Sequence, residues 1–286
     1  MWLLEAAIVP LFLVFLGASV AYAQFTAAVN MVEVYATVTD RRGEPVAGLT
    51  AADFQIAEDG SRQTISAFAA GEFPLAIAIG LDRSFSMAGK DNRLGVAKAA
   101  ARTLVGALKP GDQVMVVAIG GETSIVAPLS ADRTAALAAI DRLDAWGTTP
   151  LYDATLGALD AIQPARGRRA LVLLSDGSDR YSETNVAELV DRARQHDVLI
   201  YPVAIGASRP PVFAELAGAS GGRSFLVREP AALNQTMTAI ARELRFQYLL
   251  GYVPSQRSSG PAWHAIDVRV ARPDVRVRAR EGYVGR

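Results

Sequence analysis

The chain has 286 residues, 51% of them hydrophobic, 20% charged and 7% aromatic, room for one large domain or two modest ones with ample material for a core. Lys+Arg and Asp+Glu each number 29, and no basic block suggests a groove for nucleic acid and no acidic tail a charged partner. The absence of cysteine excludes disulfide scaffolds, zinc ribbons, iron–sulfur clusters and thiol nucleophiles, and having only His196 and His264 disfavours His-rich metal sites and most triads.

Ala6 to Ala23 form an uncharged apolar run ending in Ala21-Tyr22-Ala23, an A-x-A cleavage pattern before Gln24. This predicts a signal peptide over residues 1–23, although the segment before the run carries Glu5 and no Lys or Arg. The run is also just long enough for an uncleaved membrane anchor. Either reading delivers the rest outside the cytoplasm, periplasmic or secreted, with membrane contact only if the segment is retained.

Residues 24–72 read as β structure. Val32, Val34, Ala36 and Val38 alternate with Glu33, Tyr35, Thr37 and Thr39, the period of a half-buried strand. Short strands near Phe54–Ala57 and Thr64–Phe68 flank a turn at Glu58-Asp59-Gly60. Across residues 73–246 the pattern becomes alternating strand and helix. Pro74–Leu81, Gln113–Ile119, Ala170–Leu174 and Val198–Ile205 are continuous apolar runs, as strands covered on both faces require. Helical periods occupy Leu94–Leu108, Arg133–Leu143, Leu151–Ile162, Asn185–Gln195 and Ala231–Phe246. Residues 247–286 return to β, with strands at Tyr248–Val253, His264–Val270 and Asp274–Ala279. In the last of these Arg276, Arg278 and Arg280 alternate with apolar residues and are expected on a solvated face. The two β ends are each too small to bury a face alone. The expected fold is therefore α/β: a doubly wound, mostly parallel sheet inserted in a small β-sandwich built from the N- and C-terminal segments.

Such sheets bind ligands at the carboxyl ends of their strands. There the first α/β strand runs into Asp82-Arg83-Ser84-Phe85-Ser86, a D-x-S-x-S pattern that sets one carboxylate and two hydroxyls in a tight loop. Gly147-Thr148-Thr149-Pro150 enters a helix, and Leu173-Leu174-Ser175-Asp176-Gly177 ends another strand, so both can converge on the same point. An oxygen-only set with few carboxylates suits a hard cation such as Mg²⁺. Asp153 and Asp179 lie near the rim, where helix capping and solvation account for them. His196 is expected at a helix end in a structural role.

The chain resembles von Willebrand factor A domains with a metal-ion-dependent adhesion site, whose pattern is D-x-S-x-S, a later Thr, and an Asp after the fourth strand. By position the resemblance implies Asp82, Ser84, Ser86, Thr149 and Asp176 as the ligands of Mg²⁺, or of Mn²⁺ or Ca²⁺. Thr149 is preferred to Thr148 because Gly147-Thr148-Thr149-Pro150-Leu151-Tyr152-Asp153 resembles the family's G-G-T-x-L-Y-D run; Thr148 in place of a Gly leaves that choice open. Phe85 replaces a small residue and either crowds the loop or offers an apolar contact beside the metal. Val38-Thr39-Asp40, Gly43-Glu44-Pro45-Val46, Asp53-Phe54, Glu58-Asp59-Gly60 and Arg280-Glu281-Gly282-Tyr283 further resemble exported bacterial VWFA-related proteins prominent in Acidobacteria. The resemblance implies a binding module without turnover, in which an Asp or Glu of a protein partner completes the metal shell. The alternatives are an envelope assembly component stiffened by its metal, and a metal-assisted hydrolase. Against the hydrolase, no nucleophile–base pair is present, and the glycine-rich Gly218-Ala219-Ser220-Gly221-Gly222 precedes a strand instead of opening a helix. The helix Ala231–Phe246 leads straight into the terminal β segment, where a shift could couple the two units by analogy alone.

Overall fold

The computed structural model describes residues 31–71, 73–89, 91–256 and 260–285. The signal or anchor expected at residues 1–23 lies outside them. The N-terminal β segment forms β1 (Val32–Asp40), β2 (Phe54–Glu58), β3 (Ser61–Gln63) and β4 (Ile65–Gly71). The α/β region begins with β5 (Leu75–Asp82), α1 (Arg93–Gly106), β6 (Gln113–Ile119), β7 (Ser124–Ser130), α2 (Arg133–Arg142) and α3 (Leu151–Ile162). It continues with β8 (Arg168–Ser175), α4 (Val186–Gln195), β9 (Leu199–Ile205), α5 (Pro211–Ser220), β10 (Phe225–Val227) and α6 (Pro230–Arg245). The tail forms β11 (Gln247–Tyr252), β12 (Trp263–Val270), β13 (Val275–Arg278) and β14 (Gly282–Val284).

Every residue of β5 is buried, which is why its sequence reads as an unbroken apolar run. Leu75, Ile77, Ile79 and Leu81 face a core shared with α1, α2 and α6, while Ala76 and Ala78 face α3, α4 and α5 on the other side. The six-stranded sheet runs β10-β9-β8-β5-β6-β7, parallel throughout except for β7, which pairs antiparallel with β6 at the edge. A parallel sheet with helices on both faces is thus the frame, and it brings the ends of β5 and β8 side by side.

The two chain ends supply the remaining sheets, β13-β1-β11-β4 and β14-β12-β2-β3. Val34, Ala36 and Val38 of β1, Phe54 and Ile56 of β2, and Leu250 and Tyr252 of β11 fill the core between them. The opposite face of β1 is not wholly solvated. Thr37 and Thr39 are buried there, and Arg168 of β8 reaches Gln247 Oε1 (3.0 Å), whose amide donates to Thr37 Oγ1 (2.9 Å). Half-burial was the expected pattern for β1; the α/β unit covers its second face instead.

Two of the three arginines expected on a solvated face need the same correction. Arg276 is exposed, but Arg278 and Arg280 are partly buried against the α/β unit. Arg278 donates to Gly222 O (2.9 Å), and its other amino group lies 2.7 Å from Glu243 Oε2, an ion pair set too obliquely to be a hydrogen bond. Arg280 donates to Glu33 O (2.7 Å) and approaches Asp197 (3.4 Å). Alternating Arg and Val reads alike whether water or a neighbouring unit lies outside, and here a neighbouring unit does. Glu243 is 5% exposed, holds Tyr201 OH at 2.9 Å, and has only the longer contact of Arg223, at 4.0 Å, as a second ion pair. Arg278→Ala should therefore cost about 1–3 kcal/mol in denaturant unfolding, because it leaves a buried carboxylate with only the distant Arg223 as counter-charge. A change under about 0.5 kcal/mol, the size usual for surface substitutions, would mean the joint does not depend on this pair.

Candidate metal centre

β5 ends at Asp82, and the backbone turns at once: Arg83 N donates to Ile119 O (2.8 Å) and Ser84 N to Asp82 Oδ1 (2.9 Å). A short 3₁₀ turn, Phe85–Ala88, follows, and α1 starts after Asn92, whose side chain accepts from Gly95 N (3.2 Å). The 146–149 loop is laced to this turn by two backbone bonds, Trp146 N to Arg83 O (2.7 Å) and Phe85 N to Gly147 O (3.1 Å). Arg180 N, from the loop after β8, donates to Thr149 O (2.7 Å). Three separate loops are thereby fixed at one end of the sheet.

The sequence-derived residues meet there. Asp82 is fully buried, and Ser84 and Thr149 are each 2% exposed. Ser84 Oγ and Ser86 Oγ lie 3.0 Å apart, and Ser175 Oγ donates to Asp82 Oδ2 at 2.6 Å. Asp176 follows Ser175, and its Oδ1 accepts from Ser178 N (3.1 Å). Thr149 is buried where Thr148 is exposed. Phe85 does not crowd the serines; it is 65% exposed and turned outward.

Burial pushes the Asp82 carboxyl above its ordinary value, and the Asp176 charge adds to this. Hydrogen bonds from Ser175 and Ser84 oppose the rise without cancelling it. Among the described residues Asp82 makes no ion pair. Arg93, the first residue of α1, stands 3.8 Å from Asp176 Oδ2. Ser175 and Arg93 are the neighbours that sequence reasoning did not single out. Ser175 sat beside Asp176 in the quoted strand end, while nothing in the spacing placed Arg93.

Other polar groups have local employment. Asp153 accepts from Glu183 N (2.9 Å) and Thr184 N (3.0 Å); burial tends to raise its carboxyl, but the Thr184 side chain and these two amides hold it below the ordinary value. Asp179 accepts from Tyr152 N (3.1 Å) and Ser182 Oγ (2.6 Å). His196 caps the end of α4, beside Gln163 and Asp160. A second cluster, Glu58, Asp59 and His264, has ligand-type atoms within 4.8 Å of one another in the sandwich. Its carboxylates are engaged: Glu58 Oε2 accepts from Tyr252 OH (2.6 Å) and Tyr283 OH (3.0 Å), and Asp59 from Ala265 N (2.8 Å).

Residues 77–178 match the family profile of the von Willebrand factor type A domain. No curated protein matches the chain. Among solved structures, a von Willebrand factor type A protein from Catenulispora acidiphila aligns over 82% of this chain and 74% of its own, at 17% identity and TM-score 0.54. An aerotolerance-related membrane protein from Bacteroides fragilis aligns over 59% and 98%, at 21% identity and TM-score 0.50. Proximal thread matrix protein 1 from the mussel byssus, in a form with a zinc-occupied MIDAS motif, aligns over 65% and 49%, at 18% identity and TM-score 0.54. At these identities the likeness is one of fold. Together with the profile match over residues 77–178 it leads to one conclusion: the α/β unit of this chain has the fold of von Willebrand factor type A domains.

Proposed function

We propose that the chain is an exported, metal-dependent binding module of the VWFA-related kind. In this reading Asp82, Ser84, Ser86, Thr149 and Asp176 hold Mg²⁺, or Mn²⁺ or Ca²⁺, and a protein partner adds an Asp or Glu carboxylate. The observation that carries it is Asp82: a fully buried carboxylate among hydroxyls, without an ion pair among the described residues. Burying an uncompensated carboxylate costs several kcal/mol, and a divalent cation is the group that offsets it. The donors are all oxygen, which fits a hard cation. When bound, the ion supplies an electropositive face for a partner's carboxylate oxygen. The chain's own part is to hold the hydroxyls and carboxylates in place through the three laced loops. Turnover has no support in the surroundings, since His196 and His264 both lie outside this loop cluster.

Export is supported by the apolar run before Gln24 with its A-x-A end. Among the described residues no helix is long and apolar enough to cross a membrane.

Calorimetric titration of Mg²⁺ and Mn²⁺ into residues 24–286 tests the site. Binding is expected in the wild type and should disappear in Asp82→Ala and in Thr149→Ala. At an ion concentration about 100 times Kd, the wild type should gain about 2.7 kcal/mol of stability that neither variant shows. A well-folded wild type that takes up neither ion, even with millimolar acetate as a surrogate carboxylate, would overturn the proposal.

A further inference from the structure

Three of the exposed aromatic side chains stand on the loops that carry the proposed ligands. Phe85, between Ser84 and Ser86, is 65% exposed; Trp146, shortly before Thr149, is 47% exposed; Tyr181, shortly after Asp176, is 79% exposed. They come from three different loops, and the backbone bonds that lace those loops fix them on a common rim: Phe85 N to Gly147 O, Trp146 N to Arg83 O and Arg180 N to Thr149 O. Large apolar groups gathered in solvent mark surfaces that another molecule covers.

The rim is held in place from below. A Cβ on Gly121 would lie 2.2 Å from the Trp146 ring, so the indole rests directly on that glycine, and the Arg83 guanidinium stacks on it 5.1 Å from the ring centroid. Tyr181 has φ 72°, the left-handed region that a bulky residue seldom occupies, and its ring stands in solvent. Aromatic side chains pre-positioned in this way give contact area at low entropic cost. Charge decides what they are pre-positioned for. Arg93 stands 3.8 Å from Asp176 and Arg83 lies over the Trp146 ring, so with a divalent ion in place the centre of the rim attracts an anion.

Resting on the metal-site reading, we infer that the Phe85–Trp146–Tyr181 rim sets the partner's chemistry: a protein segment whose Asp or Glu is flanked by bulky apolar side chains. The carboxylate goes to the ion and its apolar neighbours to the aromatics. A bare carboxylate satisfies only half of this site.

The test uses residues 24–286 loaded with Mn²⁺ and two probes, acetate and 3-phenylpropionate, followed by the paramagnetic relaxation of the probe protons. Calorimetry of Mn²⁺ is run on every sample. The phenyl-bearing acid is expected to bind about tenfold more tightly than acetate, and Trp146→Ser and Tyr181→Ser should each reduce that preference at least threefold. Because Trp146 packs on Gly121, its variant can perturb the loop; Tyr181→Ser removes a side chain that is 79% exposed and serves as the second arm. Mn²⁺ and acetate binding with no preference for the apolar acid would overturn the rim proposal and leave the metal site standing. A preference that survives both substitutions would also overturn it. No Mn²⁺ uptake by the folded wild type would overturn the metal site, and the rim proposal with it. A metal-dependent dimer that Tyr181→Ser dissolves would make a second copy of the chain the occupant, against a separate partner.

Discussion

Asp112→Ala is expected to destabilise the chain by about 3–5 kcal/mol, lowering Tm by on the order of 10 °C. Asp112 is 3% exposed, at the start of β6 and far from the loop cluster. It accepts from Lys109 N (2.6 Å) and Leu75 N (3.2 Å) and forms an ion pair with Arg245, itself 8% exposed at the end of α6. Truncation leaves the Arg245 guanidinium buried with no counter-charge, and that stranded cation accounts for most of the loss. The double variant Asp112→Ala/Arg245→Met should therefore recover a large part of it, which a double-mutant cycle in urea would measure. Additive losses would show that the pair is not coupled.

The same pair sets a pH dependence. Burial tends to raise the Asp112 carboxyl, but the Arg245 hydrogen bond, the Lys109 amide, the Arg245 charge and the Leu75 amide together bring it below its ordinary value. A carboxyl depressed in the folded state gives stability that is full above the unfolded pKa of about 3.9 and is lost as pH falls through the folded value. Acid unfolding below about pH 4 should accordingly be shallower in Asp112→Ala than in the wild type.

Gly147→Ala should have an effect that is read in two ways, on stability and on the ion. Gly147 has φ +78°, and a Cβ there would meet Gly121 N at 2.5 Å and Gly121 Cα at 2.7 Å. Both atoms are backbone, so the loop itself must give way. Strain of this kind costs about 1–3 kcal/mol. The same movement would break the bonds from Phe85 N to Gly147 O and from Gly121 N to Thr148 O, the latter 2.8 Å, and carry Thr149 with it. Mg²⁺ affinity is expected to fall at least tenfold, beyond what the stability loss explains. Unchanged affinity in a folded variant would show that the placement of Thr149 is irrelevant to the ion.

The α/β frame was legible because β5 is covered on both faces and says so in eight consecutive residues. Its register with β8 then brought Asp82 and Ser175 together without further information. Less legible was β7, whose Ile125 and Val126 are exposed and which carries Pro128, as an edge strand tolerates and a central one does not. Helix α5 was also missed. Arg278 and Arg280 misled for a deeper reason: a strand's alternation reports its own two faces, whereas burial of the second face depended on Glu243, Gly222 and Asp197 of another unit. Phe85, Trp146 and Tyr181 are scattered in the sequence, and only the laced loops place them on one rim.

The pairing of the two chain ends has a consequence for the order in which the protein can form. β1 lies between β11 and β13, with Val32 opposite Tyr252 and Asp40 opposite Val275. The first strand to emerge must wait for nearly the whole chain before either neighbour exists, and loop closure over such distances is slow. The six-stranded sheet has no such delay, because all its strands lie between β5 and β10. It can complete itself while β1 is still an unpaired, aggregation-prone edge. Closure of the sandwich thus comes last, and a chain cut short before β11 would carry a finished α/β domain on an open strand.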